Sequence, residues 1–537
     1  MRSSLREIGT GPYDLVVVGG GIVGAGVARD AVLRGLSVVL LDKGDLAGGT
    51  SSRSSKLIHG GARYLEHGDF HLVHEACTER RLLQRIAPHL VRPIPFVIPI
   101  YRSDRRNKWM IRAGMTLYDL MAMFRNTRNH QMLSPAQVIE RDPALEKSGL
   151  TGGALYYDCQ MDDARLVLEN ALDAAKHGAH VLNWAAVTGL MKTNGRISGV
   201  EVEDQLSHEK AEIGARKVLN LTGPWVDELR RLDDPSAEHA VRPTKGVHIL
   251  VPRVTRDDAV VISAQSDDRV FFSLPWGEHT MIGTTDTDWT RSADEVATEE
   301  PDVDYLIRET ARVFPHAKLE RAAVMSEFSG LRPLMRQDAK SESAVTREHV
   351  FLESPSGLLS SVGGKYTTYR SMAAMLVDRV LGELDPPGKL PCSTDRRPLP
   401  GGATGPIAAF ESEGVRELGA RHGLDERTAR FVLGRYGARA REVVALAAED
   451  ASLLAPVRAA GGAPFLRAEV VHAVRREAAR TVADVMRRRT WLAFGAGQGA
   501  DVADDVAALM ARELGWSTED RTREAETYRT LVTARRL

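Results

Sequence analysis

The first residues in this chain that could do chemistry are a cluster of glycines near the N-terminus. Residues 19–24, GGGIVG, fit the pattern GxGxxG. In this pattern the first glycine permits a tight turn, the second lets the backbone approach a pyrophosphate, and the third lets a helix pack closely on a strand. Asp42 follows at about the 20-residue offset of an acid that binds ribose hydroxyls. The stretch therefore predicts a dinucleotide-binding site.

This pattern does not decide between FAD and NAD, because both contain a pyrophosphate and an adenosine ribose. Two later segments favour FAD. The hydroxyl-rich loop 50–56, TSSRSSK, suits the second half of a cofactor, and residues 219–225, LNLTGPW, read as a strand that enters a glycine turn. An ordinary polar loop and a plain strand end are the alternative readings. No second fingerprint follows, which favours oxygen, a quinone or another protein as the electron acceptor.

The elements that must position this site are predicted from hydrophobic periodicity and from helix-stop signals. A βαβ unit opens the chain, with strands at 14–18 and 37–41 and a helix at 22–34 that Gly35 ends. Further elements are a helix at 164–176, a hairpin at 186–203 with its turn at Asn194-Gly195, and a strand at 217–221.

The chain is too long for one hydrophobic core, so we expect several domains. The predicted cofactor domain is discontinuous, and a Pro/Gly-rich linker separates it from a helical C-terminal part. The predicted boundaries are 1–90, 150–225 and 326–385 for the cofactor domain, 91–149 and 226–325 for the substrate domain, 386–406 for the linker, and 407–537 for the helical domain.

Composition excludes several classes of function. Lys plus Arg (71) nearly equals Asp plus Glu (72), so no global field would attract nucleic acid. The three cysteines, Cys77, Cys159 and Cys392, are far apart and form no CxxC, which argues against a disulfide framework, a metal site or a redox dithiol. We expect a reducing, cytoplasmic location and no bound metal.

Membrane contact is left open by the sequence. No uncharged apolar run reaches the roughly 18 residues that a spanning helix needs, and the glycine spacing explains the N-terminus better than a signal peptide does. Residues 105–128 combine Arg and Lys with an apolar segment, which fits an interfacial amphipathic element. A helix packed on the core of the substrate domain is the alternative reading.

Several further motifs occur in one order between residues 14 and 370. They are TSSRSSKLIHGGARYLE (50–66), DDARL (162–166), TGPW (222–225), KGVH (245–248), IGTTD (282–286), GLRPL (330–334) and GGKYTTYR (363–370). This set closely resembles the FAD-dependent glycerol-3-phosphate dehydrogenase family, of the aerobic, quinone-linked type, and residues 477–490 are similar to that family's helical cap domain.

The resemblance implies an α/β fold with a Rossmann-like FAD-binding domain of the glucose/amino-acid oxidase type, an antiparallel-sheet substrate domain and an α-helical C-terminal domain. It implies oxidation of sn-glycerol 3-phosphate to dihydroxyacetone phosphate, with FAD reduced and then reoxidised by membrane quinone. The expected partners are this substrate, quinone, the cytoplasmic face of the membrane and a second copy of the chain.

The resemblance also implies roles for individual residues. A small dianion needs several cations in one pocket, and alcohol oxidation needs a base. The catalytic candidates are His59, His248 and Arg332, with the choice of base between the two histidines open. Arg63 and Tyr64 would bind the phosphate, Thr284 would bind substrate, and Arg332 and Lys365 would polarise the alcohol oxygen or the flavin carbonyl edge. The cofactor-binding candidates are Gly19, Gly21, Ile22, Val23, Gly24, Asp42, Lys43, Thr50, Ser51, Ser52, Ser55, Lys56, Leu57, Val187, Thr222, Gly223, Trp225, Gly364, Lys365, Thr367 and Thr368.

Two other functions remain as alternatives. An oxidase on the same scaffold would pass its electrons to oxygen, although related oxidases carry an inserted segment that is not obvious here. A flavin-binding protein without turnover would have no use for clustered Arg, Lys and His beside the flavin.

Overall fold

The computed structural model describes residues 1–61, 69–123, 126–336, 349–385, 388, 390–457 and 463–535. The chain forms two large sheets, with helices packed around them, and a helical C-terminal domain. In the described residues, no helix combines the length and the apolar character that crossing a bilayer requires.

The first sheet contains the predicted dinucleotide unit. Its central strands run parallel, with the first strand between the second and the tenth, and buried valines and leucines fill both faces. Such runs are typical of parallel strands that are covered on both sides. The sheet consists of β1 (Tyr13–Val18), β2 (Val38–Leu41), β7 (His180–Leu182), β8 (Ala185–Thr193), β9 (Arg196–Asp204), β10 (Lys210–Asn220), β17 (Val350–Glu353) and β18 (Leu359–Val362).

Local sequence signals placed several of these elements correctly. Helix α2 (Ile22–Leu33) follows β1 directly and ends beside Gly35, which has a φ of +92°. The β8–β9 hairpin turns at Asn194 and Gly195, whose φ values of 52° and 76° are those that a tight two-residue turn requires.

The second sheet is antiparallel except for one parallel pair, β4 with β12. It consists of β3 (Leu57–Ile58), β4 (Val91–Tyr101), β5 (Gln131–Leu133), β6 (Leu150–Met161), β11 (Val241–Pro252), β12 (Ala259–Ser263), β13 (Val270–Trp276), β14 (His279–Gly283), β15 (Thr287–Asp288) and β16 (Ser326–Met335). The sequence had assigned β3, β6 and β16 to the cofactor domain. Their alternation and length fit either sheet, and only pairing with β4, β6 and β11 places them in the second. The domain boundaries themselves stay predictions.

The remaining helices cover the sheets or build the C-terminal domain. Outside that domain they are α1 (Leu5–Ile8), α3 (Phe70–Ile86), α4 (Lys108–Met121), α5 (Pro135–Arg141), α6 (Asp163–Lys176), α7 (Val226–Asp233), α8 (Glu300–Val313) and α9 (Tyr369–Leu384). The C-terminal domain has its own core and contains α10 (Ile407–His422), α11 (Glu426–Tyr436), α12 (Ala440–Val444), α13 (Arg467–Arg476), α14 (Val482–Asp484), α15 (Ala503–Leu514), α16 (Thr518–Thr533) and the short strands β19 (Pro456–Val457) and β20 (Phe465–Leu466).

Buried ion pairs attach the C-terminal domain to the cofactor sheet. Arg488 Nε lies 2.5 Å from Asp45 Oδ2, and Arg489 Nη2 lies 2.8 Å from Asp45 Oδ1. Arg165 of α6 makes two hydrogen bonds to Glu477, at 2.6 and 2.9 Å. Moving the C-terminal domain away would separate these pairs and leave buried charges without partners, which is costly. The ion pairs therefore fix the position of the domain.

Candidate active site

A cavity of about 1260 Å³ lies between the two sheets and the C-terminal domain. Its wall contains most of the residues that the sequence singled out. The predicted residues that line it are Gly19, Gly21, Ile22, Val23, Asp42, Lys43, Thr50, Ser51, Ser55, Leu57, His59, Val187, Thr222, Gly223, Trp225, His248, Thr284, Arg332, Gly364 and Lys365. Arg63 and Tyr64 lie outside the described residues, so their predicted role in phosphate binding stays a prediction.

One end of the cavity is the turn between β1 and α2. Gly19 has a φ of +113°, which favours glycine, and a side chain on Gly24 would lie 1.8 Å from the Gly19 carbonyl oxygen. Gly24 does not line the cavity, and its absent side chain lets helix and strand approach each other. The Ile22 N–H donates to Ser51 Oγ at 3.0 Å. The first turn of α2 therefore faces the cavity as a helix N-terminus suited to a pyrophosphate.

Asp42 lies at the end of β2 beside this turn. Its carboxylate accepts hydrogen bonds from the Gly20 N–H at 2.6 Å and the Gly44 N–H at 2.8 Å. Burial raises the pKa of this carboxyl group. Lys43 lies 4.7 Å above the Trp225 ring, which places both side chains at the same edge of the cavity. These contacts fit the ribose end of a dinucleotide.

Four predicted cofactor residues hold the wall in place without forming its surface. Ser52 Oγ donates to the Ala47 carbonyl at 2.8 Å, and Lys56 Nζ lies 2.6 Å from Asp163 Oδ1. Thr367 Oγ1 donates to the His59 carbonyl at 3.2 Å, and Thr368 Oγ1 donates to the Lys365 carbonyl at 3.4 Å. These four side chains do not line the cavity, and their predicted cofactor-binding role stays a prediction.

The other end of the cavity is a polar cluster in the second sheet. Arg332 of β16 lies opposite Thr244 of β11, and His248 of β11 lies opposite Phe328. Side chains at alternate positions of a strand point to the same face, so Thr244 and His248 share one face of β11. Arg332 lies opposite Thr244 and therefore projects on the same side of the sheet as His248. Between them, Gly246 pairs with Gly330. A side chain on Gly246 would lie 2.4 Å from Arg332 Nη2, so this glycine gives the guanidinium its room.

Arg332 is held by three oxygens. Its Nη1 lies 3.0 Å from Asp286 Oδ1, and its Nη2 donates to Thr284 Oγ1 at 3.0 Å and to the Thr285 carbonyl at 3.1 Å. A half-buried guanidinium in this setting is fixed in direction and keeps its charge. It can therefore stabilise negative charge that develops on an oxygen in the cavity.

His248 is buried beside this cation. Its Nε2 lies 2.9 Å from Ser55 Oγ, and its ring stacks on Phe328 with centroids 4.8 Å apart. Within the described residues its Nδ1 has no hydrogen-bond partner. Burial, with the positive charges of Arg332 and Lys56, holds the pKa of this imidazole well below its usual range. His248 is thus neutral at neutral pH, and the same burial and cations make it a weaker base than a free imidazole.

Some residues of the cavity were missed by sequence reasoning. Asp286 was quoted only as the end of a motif, although its type and its neighbours Thr284 and Thr285 were a usable signal. Arg53 and Arg487 also line the cavity. Arg487 belongs to the C-terminal domain, and nothing in its local sequence distinguishes it from the neighbouring Arg488 and Arg489.

A helix N-terminus with a glycine turn, an acid at the ribose position and a polar cluster further along the same cavity define a dinucleotide-dependent oxidoreductase. Comparison with known proteins agrees. Residues 14–370 match the family described as FAD dependent oxidoreductase, and residues 392–521 match the C-terminal domain of alpha-glycerophosphate oxidase.

Full-length relatives narrow this class. A glycerol-3-phosphate dehydrogenase from Synechocystis is 40% identical over 97% of this chain and 96% of that protein. One from Mycobacterium leprae is 40% identical over 98% of this chain and 89% of that protein. The crystal structure of the glycerol-3-phosphate dehydrogenase from Bacillus halodurans, complexed with FAD, has a TM-score of 0.82 at 31% identity and covers 99% of this chain and 96% of that one.

The chain belongs to the FAD-dependent oxidoreductases, and among them to the family of the glycerol-3-phosphate dehydrogenases. The predictions of the fold class and of FAD as the cofactor are confirmed. The residues of this chain fit FAD, because the glycine turn before α2, Asp42 and the loop from Thr50 line one continuous cavity.

Proposed function

We propose that this protein oxidises sn-glycerol 3-phosphate to dihydroxyacetone phosphate. The observation that carries the proposal is that the cofactor turn and the polar cluster of His248, Arg332, Thr284 and Lys365 line the same cavity. FAD, when bound, supplies the hydride acceptor. The relatives' name gives the substrate, and a cavity with several cations suits a small phosphate ester.

His248 is the proton acceptor in this proposal. Oxidation of a secondary alcohol removes a hydride from carbon and a proton from oxygen, and the proton needs a neutral base. His248 is held neutral by burial and by nearby cations, and Ser55 orients its ring. Its proximity to Arg332, whose charge lowers the imidazole pKa, places the base and the stabilising cation together. His59, which lines the same cavity, is the other candidate.

Arg332 stabilises the alkoxide as the proton leaves. Removal of one donor of this kind from an active site typically costs about 100- to 1000-fold in rate. Lys365 lies in the loop after β18 and contributes a second cation at the cavity wall. The phosphate of the substrate is assigned to Arg63 and Tyr64, as the sequence predicted.

The decisive experiment is an anaerobic flavin spectrum before and after addition of sn-glycerol 3-phosphate. We expect the yellow band to bleach with this compound and to stay with glycerol or lactate. His248→Asn should stop the bleaching while flavin is retained, and His59→Asn should only slow it. Bleaching that survives in His248→Asn but is lost in His59→Asn would reassign the base, and no bleaching at all would refute the substrate.

The electron acceptor in this proposal is a membrane quinone. Helix α4 supports it, because one of its faces lines the cavity with Ile111, Gly114 and Leu117 while the opposite face is exposed. An apolar acceptor could therefore reach the cavity beside this helix. The match of residues 392–521 to an oxidase's C-terminal domain favours oxygen as the second candidate. Turnover that follows a quinone analogue and changes little with oxygen would separate the two.

We also propose that α4 docks on the cytoplasmic face of a membrane. Trp109 is 71% exposed and Leu120 is 51% exposed, three helical turns apart on one face. Lys108 and Arg112 are exposed beside them. Apolar side chains flanked by cations are typical of helices that lie in the interface of anionic lipid.

Vesicle sedimentation tests this contact. We expect the protein to sediment with vesicles of phosphatidylcholine and phosphatidylglycerol, and the double variant Trp109→Ser/Leu120→Ser to lose most of this binding. Leu206→Ser is the control, because Leu206 is an exposed leucine in another part of the surface. Sedimentation of Trp109→Ser/Leu120→Ser equal to that of Leu206→Ser would refute docking through α4.

A second copy of the chain as a partner stays a prediction, which a measurement of the protein's mass in solution would test.

A further inference from the structure

The buried arginines at the boundary of the C-terminal domain nearly all have carboxylate partners. Arg488 and Arg489 bind Asp45, and Arg165 binds Glu477. This is the expected pattern, because a buried cation without a counter-ion is costly. Arg53 of the cofactor loop and Arg487 of the C-terminal domain differ, because both are partly exposed to the cavity and neither has such a partner within the described residues.

Arg53 and Arg487 both line the main cavity, and both line a small void behind it together with Ser52 and Phe328. Within the described part of the chain, neither side chain makes an ion pair, and Arg53 Nε is buried without a hydrogen-bond partner. The two cations therefore lie near each other, one from each side of the domain boundary.

Electrostatics agrees with this placement. Burial, with the charge of Arg488, lowers the pKa of Arg53 to about 10. Burial, with the charges of Arg53 and Arg488, holds the pKa of Arg487 well below its usual range. Two like charges placed close together repel each other, and an anion bound between them removes that repulsion.

Two carboxylates near the pair, Asp484 and Glu327, already have other partners. Asp484 Oδ1 accepts from Arg488 at 2.6 Å and from the Thr481 hydroxyl at 2.8 Å. Glu327, which lines the small void, accepts from Arg535 Nη2 at 2.8 Å. Asp484 therefore offsets only part of the charge of Arg487, and within the described residues no carboxylate makes an ion pair with either arginine.

Backbone geometry explains how Arg487 reaches the cavity. Residues Val485–Arg489 form a π-helical turn, a feature frequent at functional sites. Arg488 and Arg489 point from this turn to Asp45, while Arg487 lines the cavity. Arg53 follows Ser51 by two residues, and Ser51 Oγ accepts from the first N–H of α2. The Arg53 side chain packs against Gly330 of β16, so the pair lies where the cofactor loop, the second sheet and the C-terminal domain meet.

We propose that Arg53 and Arg487 form a phosphate-binding subsite across the domain boundary, so that the C-terminal domain completes an anion site in the wall of the main cavity. The ligand class is a phosphate or pyrophosphate group, carried either by the bound dinucleotide or by free phosphate. Two guanidinium groups suit this ligand because each can donate two hydrogen bonds to its oxygens. The inference does not depend on which alcohol is oxidised.

The test uses full-length holoenzyme and the variants Arg53→Met, Arg487→Met and Arg487→Lys. Two quantities are measured: the rate of FAD release, from the rise of flavin fluorescence after dilution, and the Tm with increasing inorganic phosphate. Arg512→Met is the matched control, because Arg512 is an exposed arginine of the same domain.

If the dinucleotide supplies the phosphate, each Met variant should release FAD about 10- to 100-fold faster than the unaltered protein. Arg487→Lys should accelerate release less than Arg487→Met does. The double Met variant should accelerate release by less than the product of the two single effects, because both side chains bind the same group. If free phosphate is the ligand, FAD release should be unchanged, while the rise of Tm with phosphate seen in the unaltered protein should be lost in the Met variants. Release rates and phosphate-dependent Tm values equal to those of Arg512→Met in all variants would overturn the proposal.

Discussion

The two ends of the cavity are built in different ways. The cofactor turn is made by residues close together in the sequence, from Gly19 to Ser51, and its geometry is set by backbone conformation. The polar end takes Ser55, His248, Thr284 and Arg332 from separate segments of the second sheet and its loops. The first end leaves no room for a side chain at Gly19 or Gly24, whereas the second depends on strand register and on hydrogen bonds that can be removed singly.

Breaking the turn should have the largest effect. Gly24→Val would place side-chain atoms against the Gly19 carbonyl, since even the first carbon would lie 1.8 Å away. We expect the purified variant to retain almost no flavin, measured as the ratio of absorbance at the flavin band to that of the protein. Gly382→Ala is the control, because a side chain there meets no atom within 4 Å. Normal flavin content in Gly24→Val would show that helix and strand can separate.

Breaking the polar end should leave the cofactor in place. Arg332→Met removes the cation that Thr284 and Asp286 hold, and we expect kcat/KM for the proposed substrate to fall about 1000-fold with normal flavin content. Arg242→Met, which alters an arginine of β11 paired with Asp288, should change it little. Loss of flavin together with activity in Arg332→Met would mean that the two ends are not independent.

A smaller change sharpens the comparison within the polar end. Ser55→Ala removes the hydroxyl 2.9 Å from His248 Nε2. The net worth of such a hydrogen bond is about 1 kcal/mol, so we expect kcat to fall about 5- to 10-fold. The pH profile should also shift if Ser55 orients the base. An unchanged profile and rate would remove Ser55 from the site.

The smallest effect concerns stability at acid pH. The pKa values of His89 and His248 are both well below the usual range, chiefly through burial. Below about pH 6.5 the unfolded chain binds protons that these native histidines cannot, so stability is fully present above that pH and falls as the pH is lowered.

Each such group contributes up to about 1.4 kcal/mol per pH unit to the slope. His89→Gln should therefore reduce the change in the free energy of unfolding between pH 6 and pH 5 by the contribution of about one proton, which is up to about 1.4 kcal/mol per pH unit. Denaturant unfolding at the two pH values measures this change. A slope equal to that of the unaltered protein would show that His89 is protonated in the native state.

Short-range sequence signals determined the βαβ opening, the helix after Gly21, and the hairpin turn at Asn194-Gly195. These elements depend on glycine conformations and on local periodicity, so a window of a few residues contains the necessary information. The same holds for Gly19, Gly21 and Asp42 of the cofactor site. The family motifs also singled out His248, Arg332 and Lys365, which line the cavity, while their roles stay predictions.

Tertiary structure alone decided the rest. Strands β3, β6 and β16 joined the second sheet because their pairing partners lie far away in the sequence. Lys56 became a partner of Asp163 instead of a cavity residue. Arg487 reached the cavity because its two neighbours bind Asp45, more than 400 residues earlier in the chain. Charge pairing and strand register join distant segments, and local sequence does not encode which partner will be nearest.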